Sequence, residues 1–457
     1  MRRHVRACSA TFAATCLVVG GTVASRSFAQ PPEGTSPASD SRNRADEVEA
    51  FLDLGLGLFI HWGLDVQYGA VISHSLVGAD NSYRDRFFRE LPQTFDPCDY
   101  DPARWAALAR TCGFKYAVLT AKHHSGFCLF PTTTTTFDVE SSRYGKDVVG
   151  PYMQAFRAEG LKAGLYFSPE DFSLLHAQGR VPARAIERGY TQLSQNRELE
   201  AYCRRQIEEL CDAYDPVDLW FFDSLEPPDA LKKLVWDRNP RTLVTRGAMS
   251  TPEQNLGDVP PGQPWEACYT LGDQWQYRGV HETYKTGRQL IQILVETRAR
   301  GGNLLLNVGP DSYGRIPPEQ EALLRELGLW LFINGEAIYN VRPWHVSREG
   351  RTWFTQAKDG EAVYAVLSGE EAWPLGERRT LCLKSLRLSD ESEVSVLGHG
   401  GQVLEYEPDA DPTPTAKQTA AGVELSVMRA QRIYNDRKWP NQVVVKITRP
   451  LPPDAVR

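Results

Sequence analysis

KYAVLTA, residues 115–121, is an almost unbroken apolar run, and it stops abruptly at KHHSGF (122–127). A strand with one face in water alternates apolar and polar residues; one covered on both faces does not. The run therefore reads as a strand buried on both sides, with two histidines at its C-terminal end.

The same pattern recurs outward along the chain, at LGLFIHW (56–62), LKAGLYFS (161–168), VDLWFFDS (217–224), RTLVTRG (241–247), WEACYTL (265–271) and NLLLNVG (303–309). Between most of these runs lie helix-like stretches: DPARWAALARTCG (101–113), DVVGPYMQAFRAEG (147–160), LSQNRELEAYCRRQIEELCDAY (193–214) and GRQLIQILVETRARGG (287–302). Buried strands alternating with amphipathic helices give parallel strands with helices outside them. Seven runs are visible, and an eighth fits in the poorly patterned stretch 248–285. The count favours a closed (β/α)8-type barrel over residues 48–345. Its last helix should start at the prolines of PPEQEALLRELGLWLFING and stop at Gly335.

From about residue 346 the period changes to two. TWFTQAKDGEAVYAVLS (352–368) reads as two strands around Asp359-Gly360, and further alternating runs follow. The expectation is a C-terminal antiparallel β-sandwich over 346–457. Its tryptophans, including Trp353, Trp373 and Trp439, are expected to pack in its core.

At the other end, Arg2, Arg3 and Arg6 precede an apolar stretch too short to span a membrane well, and SFA (27–29) offers small residues for cleavage. Residues 1–29 are read as an export signal to the periplasm or the extracellular space. The polar, Pro/Ser-rich residues 30–47 are read as a disordered leader. The formal net charge is −7, and the signal carries four arginines and no acid, so the remainder is more acidic still. An acidic chain without a basic cluster excludes nucleic acid as a partner, and no later run is long enough to span a membrane. Nine cysteines, seven after residue 29, show no C-x-x-C spacing, which removes the zinc-ribbon class.

In such a barrel the chemistry lies at the C-terminal ends of the strands. The polar and aromatic residues assigned there are His61 and Trp62, His123 and His124, Tyr166, Asp223, Arg246 and Glu266. Alternation puts Phe221 on the same face as Asp223. A carboxylate emerging from LWFF is costly unless it is used or paired. Two such acids, Asp223 and Glu266, suggest glycoside hydrolysis, in which one attacks or activates water and the other protonates the leaving oxygen.

The blocks LGLGLFIHWGL, KYAVLTAKHHSGFCLF, LKAGLYFSPEDF, VDLWFFDS, PWEACYTLGDQWQY and RGGNLLLNVGPD, in this order, resemble the α-L-fucosidases of glycoside hydrolase family 29. The resemblance implies a retaining exo-glycosidase acting on a fucosylated oligosaccharide or glycoconjugate, with no cofactor and no metal. It implies Asp223 as nucleophile and Glu266 as acid/base. His61, His123, His124, Tyr166 and Arg246 would contact the sugar, with Trp62, Phe221 and Trp275 as aromatic walls. Neutral imidazole carries one donor and one acceptor, which matches a sugar hydroxyl.

Two departures stand out. A GEWY-like segment expected after HWG is missing, and His74 is the one comparable polar candidate there. Phe221 stands where the family has tryptophan. Three histidines and an aspartate could also ligate zinc, but adjacent histidines on an extended strand would point opposite ways. Two other readings stay open: a retaining glycosidase for a related sugar such as an α-L-galactoside, and a fucose-binding protein on a non-catalytic barrel.

Overall fold

The computed structural model describes residues 41–180, 192–224, 226, 228–257, 259, 262–368, 373–400, 409–430 and 442–452. The proposed signal, most of the leader and Trp439 lie outside the described residues.

Seven parallel strands carry the N-terminal two thirds of the chain: β1 (Leu56–Ile60), β2 (Tyr116–Lys122), β3 (Lys162–Phe167), β4 (Leu219–Phe222), β5 (Leu243–Val244), β6 (Glu266–Thr270) and β7 (Asn303–Val308). They pair in the order β5-β4-β3-β2-β1-β7-β6. The stretch expected to hide an eighth strand does span the gap between β5 and β6. It forms no regular strand, but it makes single parallel bridges from Met249 to Arg246, from Ser250 to Trp265 and from Glu253 to Cys268. Around the sheet run α1 (Ala45–Leu54), α2 (Asn81–Thr94), α3 (Pro102–Thr111), α4 (Val149–Ala158), α5 (Phe172–Ala177), α6 (Arg197–Tyr214), α7 (Asp229–Arg238), α8 (Gly287–Ala299) and α9 (Pro318–Asn334). Helix α1 starts at Ala45, three residues inside the segment read as leader, because Phe51 packs against the underside of the barrel.

Strand alternation divides the apolar residues into two sets. Phe59, Val118, Leu219, Phe221, Cys268 and Leu305 point inward and fill the barrel. Leu58, Ile60, Leu119, Leu165, Trp220, Phe222 and Leu306 point outward under the helices. Gly57 is required by the inner layer: a Cβ there would lie 2.2 Å from the ring of Tyr116 on the neighbouring strand.

The C-terminal part contains a five-stranded and a three-stranded antiparallel sheet. Its strands are β8 (Val341–Glu349), β9 (Thr352–Ala357), β10 (Ala362–Leu367), β11 (Arg378–Leu383), β12 (Val394–Val396), β13 (Thr415–Thr419), β14 (Gly422–Met428) and β15 (Val443–Thr448). Residues of both sheets, among them Phe354, Val363, Leu383, Leu425 and Val445, share one apolar core, which makes a sandwich. Its first strand begins five residues earlier than the period change suggested, because Pro343 interrupts the alternation of VRPWHVSRE. Trp353 and Trp373 are both buried, as packing residues. The larger sheet rests on the barrel, where the Trp330 indole N–H of α9 donates to the Gln442 carbonyl at 2.9 Å.

Candidate active site

Every inward-facing residue belongs to a level of the barrel, and the levels decide which groups can meet. Asp223, one residue past β4, keeps the inward parity of Leu219 and Phe221 and emerges at the C-terminal mouth. The Tyr166 hydroxyl donates to its Oδ2 at 2.6 Å. His124 Nε2 is 3.4 Å from the same oxygen, and Arg246 Nη1 is 3.4 Å from Oδ1. Burial works to raise the pKa of this carboxyl, but Arg246, His124 and the Tyr166 hydrogen bond outweigh it and hold the group down at about 2. Asp223 is therefore ionised throughout the neutral range, with a hydroxyl, an imidazole and a guanidinium around it.

The histidines line the same mouth. His61 continues the inward parity of Phe59, and its Nδ1 meets Asn307 Oδ1 at 2.6 Å. His123 Nδ1 lies 2.8 Å from Ser73 Oγ, and its ring stacks on Tyr166 with centroids 5.3 Å apart. His124 Nδ1 lies 2.5 Å from Ser168 Oγ. Burial lowers all three histidines, His61 and His124 to about 4 and His123 well below its ordinary value. All three are neutral at pH 7, each with a ring nitrogen anchored.

His123 and His124 do not diverge as neighbours on a strand would. The strand ends at Lys122, the chain turns, and the two rings sit 4.3 Å apart on one side of the mouth. Gly126 makes that turn, at φ +89°. His123, His124 and Asp223 thus offer donor atoms within 4.8 Å of one another. A cation there would compete with Arg246, which already occupies Asp223.

Two sequence expectations are corrected. Glu266 is the first residue of β6, not the last, so it sits at the opposite end of the barrel from Asp223. It is 0% exposed and accepts a hydrogen bond from Tyr116, the first residue of β2. At ~3.3 Å of rise per residue, four positions along the strand separate the level of Glu266 from that of Asp223 by roughly a dozen Å. No substrate can touch both. Trp62 has outward parity: its ring packs on Phe95, Tyr100 and Trp105, and its indole N–H donates to the Asp311 carbonyl. It is a core residue behind the site.

The other expected residues gather at the mouth. Phe221 forms a floor beneath Asp223, stacked on Tyr166 at 5.7 Å and under the Arg246 guanidinium at 5.2 Å. Trp275 is half-buried beside His61, with ring centroids 4.9 Å apart. His74 also reaches the histidine cluster, 5.5 Å from the His124 ring.

A second mouth carboxylate went unread in the sequence. Glu253 lies in the irregular segment after β5, and its Oε2 is 3.3 Å from the same Arg246 nitrogen that contacts Asp223. One guanidinium nitrogen therefore bridges two carboxylates. Ser73 and Asp65 were missed as well: Ser73, at φ +55° and fully buried, holds His123 and the Ser125 amide with one hydroxyl. Asp65 holds the Ser73 amide in that strained position.

Comparisons with known proteins place the chain among α-L-fucosidases. Residues 22–336 match the family described as Alpha-L-fucosidase. The plasma alpha-L-fucosidase of Rattus norvegicus is 30% identical over 414 residues, covering 80% of this chain and 86% of the relative. The solved alpha-L-fucosidase isoenzyme 1 of Paenibacillus thiaminolyticus superposes with a TM-score of 0.69 at 26% identity, covering 88% of this chain and 98% of that one. A Bacteroides thetaiotaomicron GH29 alpha-L-fucosidase, solved as a trapped covalent intermediate, has the same fold, with a TM-score of 0.69 at 22% identity over 90% of this chain and 98% of that one. The family match spans more than half of the sequence, and the chain belongs to the α-L-fucosidase family.

Proposed function

We propose that the protein releases terminal α-L-fucose from glycans as a retaining exo-glycosidase, with Asp223 as nucleophile and Glu253 as acid/base. The observation that carries this assignment is the Arg246 bridge. Because one nitrogen touches both carboxylates, their oxygens can be no farther apart than the sum of 3.3 and 3.4 Å. That range includes the ~5–5.5 Å separation of retaining enzymes and falls short of most of the ~6.5–9.5 Å of inverting ones.

In the first step an Asp223 oxygen attacks the anomeric carbon while Glu253 gives its proton to the glycosidic oxygen. The leaving alcohol departs and the sugar remains as an ester on Asp223. In the second, Glu253 takes a proton from water, which attacks the same carbon and frees the carboxylate. A trapped covalent intermediate in the Bacteroides thetaiotaomicron relative supports the double displacement.

His61, His123 and His124 would recognise ring hydroxyls, with Trp275 and Phe221 as apolar surfaces and Tyr166 orienting the nucleophile. An α-L-galactoside differs by one added hydroxyl, which an apolar pocket rejects only about a hundredfold, so weak side activity is expected. Export through residues 1–29, ahead of a leader, a catalytic barrel and the sandwich, belongs to the same proposal. No helix among the described residues is long and apolar enough to cross a membrane.

An NMR time course with an aryl α-L-fucoside tests the reading. The α-anomer of L-fucose should appear first and mutarotate later. Initial release of the β-anomer would overturn retention, and binding without release would restore the non-catalytic alternative.

A further inference from the structure

Glu170 sits in the turn between β3 and α5, at the level of the mouth. It is 9% exposed, and no described residue forms a hydrogen bond or an ion pair with its carboxyl. A buried carboxyl without a partner is costly, and a fold keeps one where a ligand completes it.

The backbone on both sides is fixed. The Ser168 hydroxyl is 3.1 Å from the Glu170 carbonyl, and the Cys203 thiol is 3.3 Å from that of Pro169. Asp171 pairs with buried Lys122 at 3.1 Å while capping α5. The Phe172 and Ser173 amides donate to the carbonyls of His124 and Ser125, at 2.8 and 3.1 Å. The turn is thus clamped to the histidine turn after β2, which fixes the backbone that carries the Glu170 side chain. The charged group that acts on it is Asp223, just past β4; His124, just past β2, and the Lys122–Asp171 pair lie on the segments packed against its turn. Burial, with the Asp223 charge adding to it, pushes the Glu170 carboxyl up to about 8, so at pH 7 it carries a proton.

We infer that Glu170 is a specificity-determining residue that hydrogen-bonds a hydroxyl of the bound saccharide on the His124 side of Asp223. A protonated carboxyl has one donor and a free acceptor, the complement of an alcohol. Glu253, by contrast, stands on the Arg246 side of Asp223, so the two mouth carboxyls flank the nucleophile and divide the work. This inference rests on the fucosidase reading above. It adds a determinant that lies within the block LKAGLYFSPEDF but was given no role there.

The test compares Glu170→Ala and Glu170→Gln with the parent protein, after thermal melts show all three folded. KM and kcat are measured for an aryl α-L-fucoside and a fucosyl oligosaccharide from pH 5 to 9, with inhibition by free L-fucose. Loss of one hydrogen bond predicts a rise in KM or Ki of about 10-fold to 100-fold for alanine, with kcat much less affected. Glutamine, an isostere with a donor and an acceptor, should recover most of that loss. The parent should bind more weakly above about pH 8, where ionisation of Glu170 removes the donor, and glutamine should remove that weakening. A changed Ki for L-fucose puts the hydroxyl on the fucose ring. A changed KM for the oligosaccharide alone puts it on the leaving-group sugar.

Alanine that leaves every constant unchanged would overturn the inference. So would variants that lose oligosaccharide turnover, still react with the activated aryl fucoside and form α-fucosyl azide when azide is added, since Glu170 would then be the acid/base. If the parent itself cleaves neither substrate, the fucosidase reading fails. L-fucose binding by calorimetry, parent against Glu170→Ala, would then still decide the role of Glu170.

Discussion

At the mouth of the barrel, Tyr166, Arg246 and Asn307 stand beside Asp223 and His61; at the floor, Tyr116, Arg298 and Asn303 stand beside Glu266. The residue types nearly repeat, yet the two carboxyls differ in state. Asp223 shares a guanidinium and an imidazole and is held at about 2. At the floor, Arg298 spends its donors on the carbonyls of Leu52, Gly302 and Ile338 and on Asn303. Glu266 is left with hydroxyl neighbours, and burial pushes it up to about 7. The floor is closed by α1, whose Phe51 carbonyl accepts from Asn303 at 2.7 Å. The contrast teaches that an acid in a barrel is defined by its level and by where the nearest cation points. The floor cluster ties α1 to the sheet; the mouth cluster keeps a charge ready.

Four changes would break or sharpen that contrast. Asp223→Ala removes the proposed nucleophile and should lower kcat by ~10⁴-fold or more on every fucoside, with azide restoring turnover as the β-fucosyl azide. Product analysis by NMR checks it. Arg246→Ala removes the largest influence that lowers Asp223, so the acidic limb of the pH–rate profile should move to higher pH. Its kcat/KM should fall by about 10²-fold.

Glu266→Gln should act on stability instead. In the folded chain this carboxyl keeps its proton up to about pH 7, whereas an ordinary glutamate loses it near 4.5. The stabilising proton is fully present in acid and lost as pH rises through 7. The glutamine variant should therefore gain in Tm relative to the parent at pH 8 and show little gain at pH 5, by calorimetry at both values. Smallest is Trp62→Phe, which loses the bond to Asp311 and should cost about 1 kcal/mol with kcat/KM within about twofold.

The strands, their parallel order and the sandwich were legible because burial on two faces erases alternation, and burial on one restores it. Asp223 and the histidines were legible for the same reason, as polar residues placed where apolar runs stop. Glu266 was misjudged because it opens its run: WEACYTL places the acid at the start of β6, and strand direction then sends it to the floor. Trp62 was misjudged against a rule already in hand, since the neighbour of an inward His61 faces outward. Glu253 left no pattern to read, and Glu170 lay without a role inside the block LKAGLYFSPEDF. One lies in a segment held by single bridges, the other in a turn fixed by contacts with residues some forty positions away, and both depend on tertiary placement.

The central claim is that the acid/base stands at the mouth and not at the floor. Glu253→Gln and Glu266→Gln, measured side by side on an aryl α-L-fucoside and a fucosyl oligosaccharide, test it most directly. The account predicts that Glu253→Gln loses ~10²–10⁴-fold on the oligosaccharide, keeps much of its activity on the activated aryl substrate and forms α-fucosyl azide with azide. Glu266→Gln should stay within about threefold of the parent on both. Loss of oligosaccharide turnover in Glu266→Gln, with Glu253→Gln intact, would contradict it.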